Sequence, residues 1–154
     1  APHTVAEGGR ERFHSVKNGL AALKRDPELI AVQDGVRPLG SQELIRRTVA
    51  AAAEHGTAIP VVEPVDSFRE TDGAASQIID RRRLRIVQTP QVFRLSLYKE
   101  ALCLAKNAGK QYTDDCQLIE AAGGKVYLTP GDYKNIKITT PEDLLVAEAF
   151  AAEK

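Results

Sequence analysis

The 154-residue chain has no methionine, only two cysteines and three histidines, and no excess of either charge. Each absence excludes something. Lysine plus arginine total 21 and aspartate plus glutamate total 21, whereas a general polyanion binder carries a strong basic excess. No apolar run approaches the ~20 residues that cross a bilayer, and no signal-peptide pattern is evident. Neither nucleic acid nor membrane is therefore an expected partner. Cys103 and Cys116 form no disulfide framework and no paired metal-ligand spacing, so a reducing, cytoplasmic setting is the simplest expectation. His3, His14 and His55 also lie at no metal-ligand spacing. Neither a G-x-S-x-G elbow nor a P-loop occurs, which leaves hydrolysis by a serine or cysteine nucleophile with little support. The lack of methionine points either to a fragment of a longer protein or to modified methionines missing from the written sequence. In the second case, spacings across the gaps are short by one.

What is present suits one folded domain over residues 1–154. The composition is 43% hydrophobic and 27% charged, which is typical of a globular chain of this length. Val16, Leu20 and Leu23 recur at helical spacing and predict a helix from about Arg12 to Leu23. Leu29 to Val32 reads as a buried strand, followed by the loop Asp34-Gly35-Val36-Arg37-Pro38. Ser41 is placed to cap a helix through about His55, Gly56 ends it, and Ala58 to Val62 is a second buried strand. Glu63 to Arg85 reads as an extended hairpin around Thr71-Asp72-Gly73, poor in core residues. Val87 to Val92 returns to the body. Helices are expected over Leu95 to Ala105 and, capped by Thr113, over Asp114 to Ala122, where Gly123-Gly124 stops the second. Lys125 to Thr129 and Ile136 to Thr139 read as strands. Thr140, Pro141 and Asp143 mark the start of a last helix running to about Ala151.

Strands alternating with helices predict an α/β fold, a mainly parallel sheet with helices on both faces. Ligands of such sheets bind beyond the carboxyl ends of the strands, where the loops holding Asp34, Ser67 and Lys137 are expected. Asp34 and Arg37, three apart at a strand end, suit a phosphate or metal-phosphate site, though a surface ion pair explains them equally well. Gly8-Gly9 would let backbone approach a ligand closely, and a plain turn is the competing explanation. Arg81-Arg82-Arg83 with Arg85 is by default a solvated face. Lys137, flanked by Ile136 and Ile138 near a helix start, is placed as a rigid phosphate-binding cation.

Several blocks occur in order: Gly8-Gly9-x-x-Arg12-x-x-Ser15-Val16-x-x-Gly19-Leu20, Asp34-Gly35-Val36-Arg37-Pro38, Pro64-Val65-Asp66-Ser67, Asp80-Arg81, Gln88-Thr89-Pro90-Gln91-x-Phe93, Thr113-Asp114-Asp115 and Asn135-Ile136-Lys137-Ile138-Thr139-Thr140-Pro141-Glu142-Asp143-Leu144. Each is weak alone, but in register they are strong. From Gly8 onward the sequence closely resembles the 2-C-methyl-D-erythritol 4-phosphate cytidylyltransferases of non-mevalonate isoprenoid synthesis. The resemblance implies a Rossmann-like nucleotidyltransferase fold with a protruding β-arm at about 63–85. It also implies transfer of CMP from CTP to a polyol phosphate, with Mg²⁺ as the divalent cation. Family members open with a strand, a Gly-rich loop and a triphosphate-holding lysine that are not found here. The chain is therefore expected to be the C-terminal two-thirds or so of the family domain, and an incomplete catalyst by itself.

The resemblance assigns roles residue by residue. Lys137 falls on the lysine contacting the reacting phosphates. Arg81 falls on an arginine reaching the partner subunit's substrate phosphate, so that the arm builds a homodimer. Asp34, Arg37, Asp66, Ser67 and Thr113 fall on or beside polyol-phosphate positions, with Asp34 also near the metal. Ser67 replaces a more common threonine and keeps its hydroxyl. Gly8, Gly9 and Ser15 fall where the cytosine is read. Gly35-Val36 departs from the more frequent Ala-Ala or Gly-Ala, which could loosen the loop. A ribitol-5-phosphate cytidylyltransferase is the alternative enzyme, disfavoured by Asp80-Arg81 and Thr113-Asp114-Asp115. A non-catalytic nucleotide-binding or dimerisation module is the alternative of a different class.

Overall fold

Capping residues and glycines decide where the elements begin and end. The computed structural model describes residues 3–10, 12–108, 112 and 114–153. Helix α1 spans Arg12–Ala21, strand β1 Leu29–Val32, helix α2 Gln42–His55 and strand β2 Thr57–Val62. In α2 the Ser41 side chain accepts from the Leu44 amide, while Gly56 closes the helix at φ 85°, a left-handed conformation that glycine takes without strain. Strands β3 (Phe68–Asp72) and β4 (Ala75–Ile79) form the expected hairpin, with Gly73 at φ 85° in its turn. A 3₁₀ turn, Arg81–Arg83, leads to β5 (Ile86–Val87) and β6 (Gln91–Arg94). Helices α3 (Leu95–Ala108) and α4 (Asp115–Ala121), strand β7 (Leu128–Pro130) and helix α5 (Pro141–Ala152) complete the order.

The main sheet runs β1-β6-β2-β5, with β7 beside β2. Strands β1, β2 and β7 share one direction, as alternation with helices implies. Strand β6, inserted between β1 and β2, runs against both of them, and β5 runs against β2. Adjacent residues on a strand face opposite sides, and that alternation separates two apolar layers. Val92 and Ala58 join Ala52 of α2 on one face. Phe93, Ile59 and Ile30 join Tyr98 of α3 and Leu118 and Ile119 of α4 on the other, with Val16 and Leu20 of α1 packed at the margin. Leu44, Phe93 and Ile119 are fully buried, and each such side chain stabilises the fold by about 1.5–3 kcal/mol. Tyr98 keeps its hydroxyl satisfied by donating to Asp115. The hairpin forms its own two-stranded sheet, and every residue of β3 is exposed.

Several boundaries depart from the sequence expectations. Helix α1 ends at Ala21, short of Leu23. The run Val87 to Val92 breaks into β5 and β6, because Gln88 turns inward and Pro90 has no amide for a ladder. Asp114 caps α4 by accepting from the Gln117 amide; Thr113, expected in that role, lies outside the described residues. The strand expected from Lys125 is confined to Leu128–Pro130. Ile136 to Thr139 is not a strand. Side chains and loops take its backbone bonds instead: Ile138 donates to the Val36 carbonyl, and the Thr139 amide donates to Asp143.

Candidate active site

The loop after β1 is closed by a turn in which the Arg37 amide donates to the Asp34 carbonyl at 3.0 Å. Gln33 Nε2 donates to the Arg37 carbonyl at 3.0 Å, and the Asp34 amide donates to Thr89 Oγ1 at 3.1 Å. These bonds aim Asp34 and Arg37 across the carboxyl end of β1 toward the segment after β7. There Arg37 donates through one terminal nitrogen to the Asn135 carbonyl at 2.8 Å and through the other to the Val87 carbonyl at 3.3 Å. Its Nε stands 3.6 Å from Asp34 Oδ2, an ion pair longer than a hydrogen bond. Lys137 Nζ stands 3.5 Å from the same carboxylate oxygen.

One carboxylate thus lies between a guanidinium and an ammonium, leaving a net positive centre. The Arg37 side chain is 10% exposed and that of Lys137 48% exposed, so Lys137 presents its ammonium to solvent while Arg37 is built in. Behind Lys137, the Asp143 carboxylate accepts from the Thr139 amide, the Thr140 amide and the Thr139 hydroxyl at 2.8–2.9 Å. The Thr140 hydroxyl accepts from the Asp143 amide in return, completing a capping box that pins the chain at the start of α5. The backbone amides of Thr139 and Thr140, then the Thr139 hydroxyl, hold the Asp143 carboxyl below the ordinary aspartate value.

The remaining expected residues divide. The Gly9 amide donates to Ser15 Oγ at 3.0 Å, so Gly8, Gly9 and Ser15 do come together. A Cβ on Gly9 would collide with His14 Cβ, so only glycine fits that close approach. Asp66 and Ser67 are exposed on the link between β2 and β3. Arg81 lies at the base of the hairpin and donates to the Val65 carbonyl of its own chain. Beside it, the Arg82 guanidinium and amide hold the Asp80 carboxyl below its ordinary value, and Asp80 raises that of Arg82. Thr113 lies outside the described residues. Sequence reasoning assigned no role to Gln88, Thr89 or Asn135, all three buried and all bonded to the site loops. A polar amide inside an otherwise apolar returning segment was the available signal. Among the described residues no three His, Cys, Asp or Glu side chains gather into a metal cage, and no helix is long and apolar enough to cross a membrane.

The family model for IspD, 2-C-methyl-D-erythritol 4-phosphate cytidylyltransferase, matches residues 2–153. A curated relative of that name from Geobacillus thermodenitrificans is 49% identical over 97% of this chain and 65% of its own length. One from Bacteroides thetaiotaomicron is 46% identical over 96% of this chain and 66% of its own. The chain therefore spans slightly under two-thirds of the length of these relatives. The crystal structure of the protein of the same name from Thermus thermophilus superposes with a TM-score of 0.88 at 39% identity, over 95% of this chain and 71% of that one. With the family model matched over nearly the whole chain and relatives of this name 46–49% identical to it, the chain belongs to the 2-C-methyl-D-erythritol 4-phosphate cytidylyltransferase family.

Proposed function

We propose that the chain carries part of a site that moves CMP from CTP onto 2-C-methyl-D-erythritol 4-phosphate, yielding CDP-methylerythritol and pyrophosphate. The observation that carries this reading is the Asp34 carboxylate set between Arg37 and the solvent-facing Lys137 at a strand's carboxyl end. The nucleophile is a phosphate oxygen, already anionic at neutral pH. It bonds to the α-phosphorus of CTP as the bond to the pyrophosphate oxygen breaks, and no general base is required. The barrier is mainly electrostatic, one anion approaching another. Preorganised cations therefore contribute most.

Lys137 supplies a solvent-facing ammonium to the reacting phosphates. Arg37, committed to two carbonyls, acts as a fixed charge beside the polyol phosphate, and Asp34 orients both cations and a polyol hydroxyl. Asp66, Ser67 and Thr113 complete the polyol side. Gly8, Gly9 and Ser15 line the cytosine side, where the Gly9 amide and the Ser15 hydroxyl are held together. The exposed hairpin pairs with a second copy, and Arg81 at its base serves the neighbour's substrate phosphate. Mg²⁺ is commonly held by one or two carboxylates, so Asp34 would hold it here, and the ion would neutralise triphosphate charge. Neither Cys103 nor Cys116 is joined in a disulfide among the described residues, which suits a cytoplasmic protein.

The test is pyrophosphate release by the gene product that carries this chain, given CTP with either methylerythritol phosphate or ribitol 5-phosphate. Release with the first alone is the expected result. Release with ribitol 5-phosphate alone, or with neither, refutes the proposal.

A further inference from the structure

The segment carrying Lys137 belongs to no strand, yet it must hold an ammonium in place. We propose that Gln88 and Asn135 are positioning residues that set where Lys137 stands relative to Asp34; this rests on the cytidylyl-transfer reading above. Gln88 is 4% exposed, and its side-chain amide bonds the segment through both its oxygen and its nitrogen. Its Oε1 accepts from the Asp132 amide at 3.1 Å, and its Nε2 donates to the Asp132 carbonyl at 2.8 Å and the Asn135 carbonyl at 3.3 Å. Asn135 is fully buried and donates from Nδ2 to the Thr89 carbonyl at 2.9 Å. Thr89 in turn holds the Asp34 amide through its hydroxyl. Residues 88 and 89 therefore grip both site loops, and only Ile136 separates the anchored Asn135 from Lys137. Gly131 presses on the same amide: a Cβ there would lie 2.7 Å from Gln88 Oε1.

The decisive experiment is a double-mutant cycle on CTP binding by titration calorimetry, paired with amide hydrogen exchange. Gln88→Leu should weaken CTP binding about tenfold, the scale of one lost buried hydrogen bond. It should do so only while Lys137 is present, adding no further loss in a Lys137→Ala background. Exchange at the Asp132 and Ile138 amides should quicken by about tenfold. Gln88→Met keeps the side-chain length without its hydrogen bonds and should lose as much as the leucine variant; it serves if that variant folds poorly. Equal losses with and without Lys137, or unchanged exchange at those amides, overturn the proposal. If Lys137→Ala itself leaves CTP affinity untouched, the same cycle is read on turnover, where equal losses with and without Lys137 again overturn the proposal, while the cytidylyl-transfer reading falls only if pyrophosphate release fails.

Discussion

Removing the Arg37 guanidinium should unfold the site before it unbinds anything. Arg37→Ala deletes a charged donor to the Asn135 carbonyl at 2.8 Å and to the Val87 carbonyl at 3.3 Å, and leaves Asp34 with one fewer cation. Hydrogen bonds from a charged group contribute ~1.5–3 kcal/mol each, the longer one counting least. The Asp34 pair is partly exposed and longer than a hydrogen bond, so it adds about 1 kcal/mol or less. The expected loss is about 3–5 kcal/mol, the scale of breaking a buried pair from one side and a large share of the ~5–15 kcal/mol that holds a domain together. Urea unfolding at neutral pH, followed by circular dichroism, should show the midpoint falling by about 2 M, given ~1–3 kcal/mol per molar denaturant. Arg37→Lys, with one point charge in place of a fork, should recover less than half of that loss. A midpoint within experimental error of the parent for Arg37→Ala would refute the reasoning, because the guanidinium would then not act as a strut.

Further outcomes follow from the same geometry. Lys137→Ala should cut turnover about a hundredfold or more with little change in the unfolding midpoint, checked by pyrophosphate release; near-normal turnover contradicts its role. Arg81→Ala should raise the apparent KM for the polyol phosphate and leave CTP binding nearly unchanged in steady-state assays, whereas equal losses for both would indicate a misfolded arm. Asp143 has a folded-state pKa below its ordinary 3.8, so the stability it adds is complete above that value and is lost as pH falls through the lower, folded-state pKa. Acid unfolding curves of Asp143→Asn should therefore lack part of the decline seen in the parent below about pH 4. Gly131→Ala should destabilise by about 1–3 kcal/mol in thermal or urea unfolding, since its Cβ would meet Gln88 Oε1, the Val61 carbonyl and Val62 Cγ1, all below 3.0 Å.

Elements closed by their own chemistry were legible in the sequence. Ser41 and Gly56 bound α2, and Thr140, Pro141 and Asp143 start α5, because caps act within one turn and need no distant partner. The hairpin was legible for the same reason. What could not be read depends on contacts far apart in sequence. The reversed course of β6 is set by its neighbours β1 and β2, and an apolar run gives no direction. Ile136 to Thr139 has the composition of a strand, but Val36 and Asp143 take its amides, and Gln88 and Arg37 hold the Asn135 carbonyl just before it. Asp34, Arg37 and Lys137 could be named from motifs, and the structure brings them together. Gln88 and Asn135 appeared in the same motifs without a role, since only the folded chain puts their amides behind the charged groups.

The hairpin has a consequence for how this molecule ages and changes. All of β3 and nearly all of β4 lie in solvent, and no ladder joins them to the main sheet. A lone two-stranded ribbon is marginal in water, so its lifetime against proteases depends on what shields it more than on the body's stability. Nicking near Gly73 would then act as a clock for shielding by another chain, running independently of catalysis. Substitutions along the ribbon are equally decoupled: they leave the α/β body that holds the charges undisturbed.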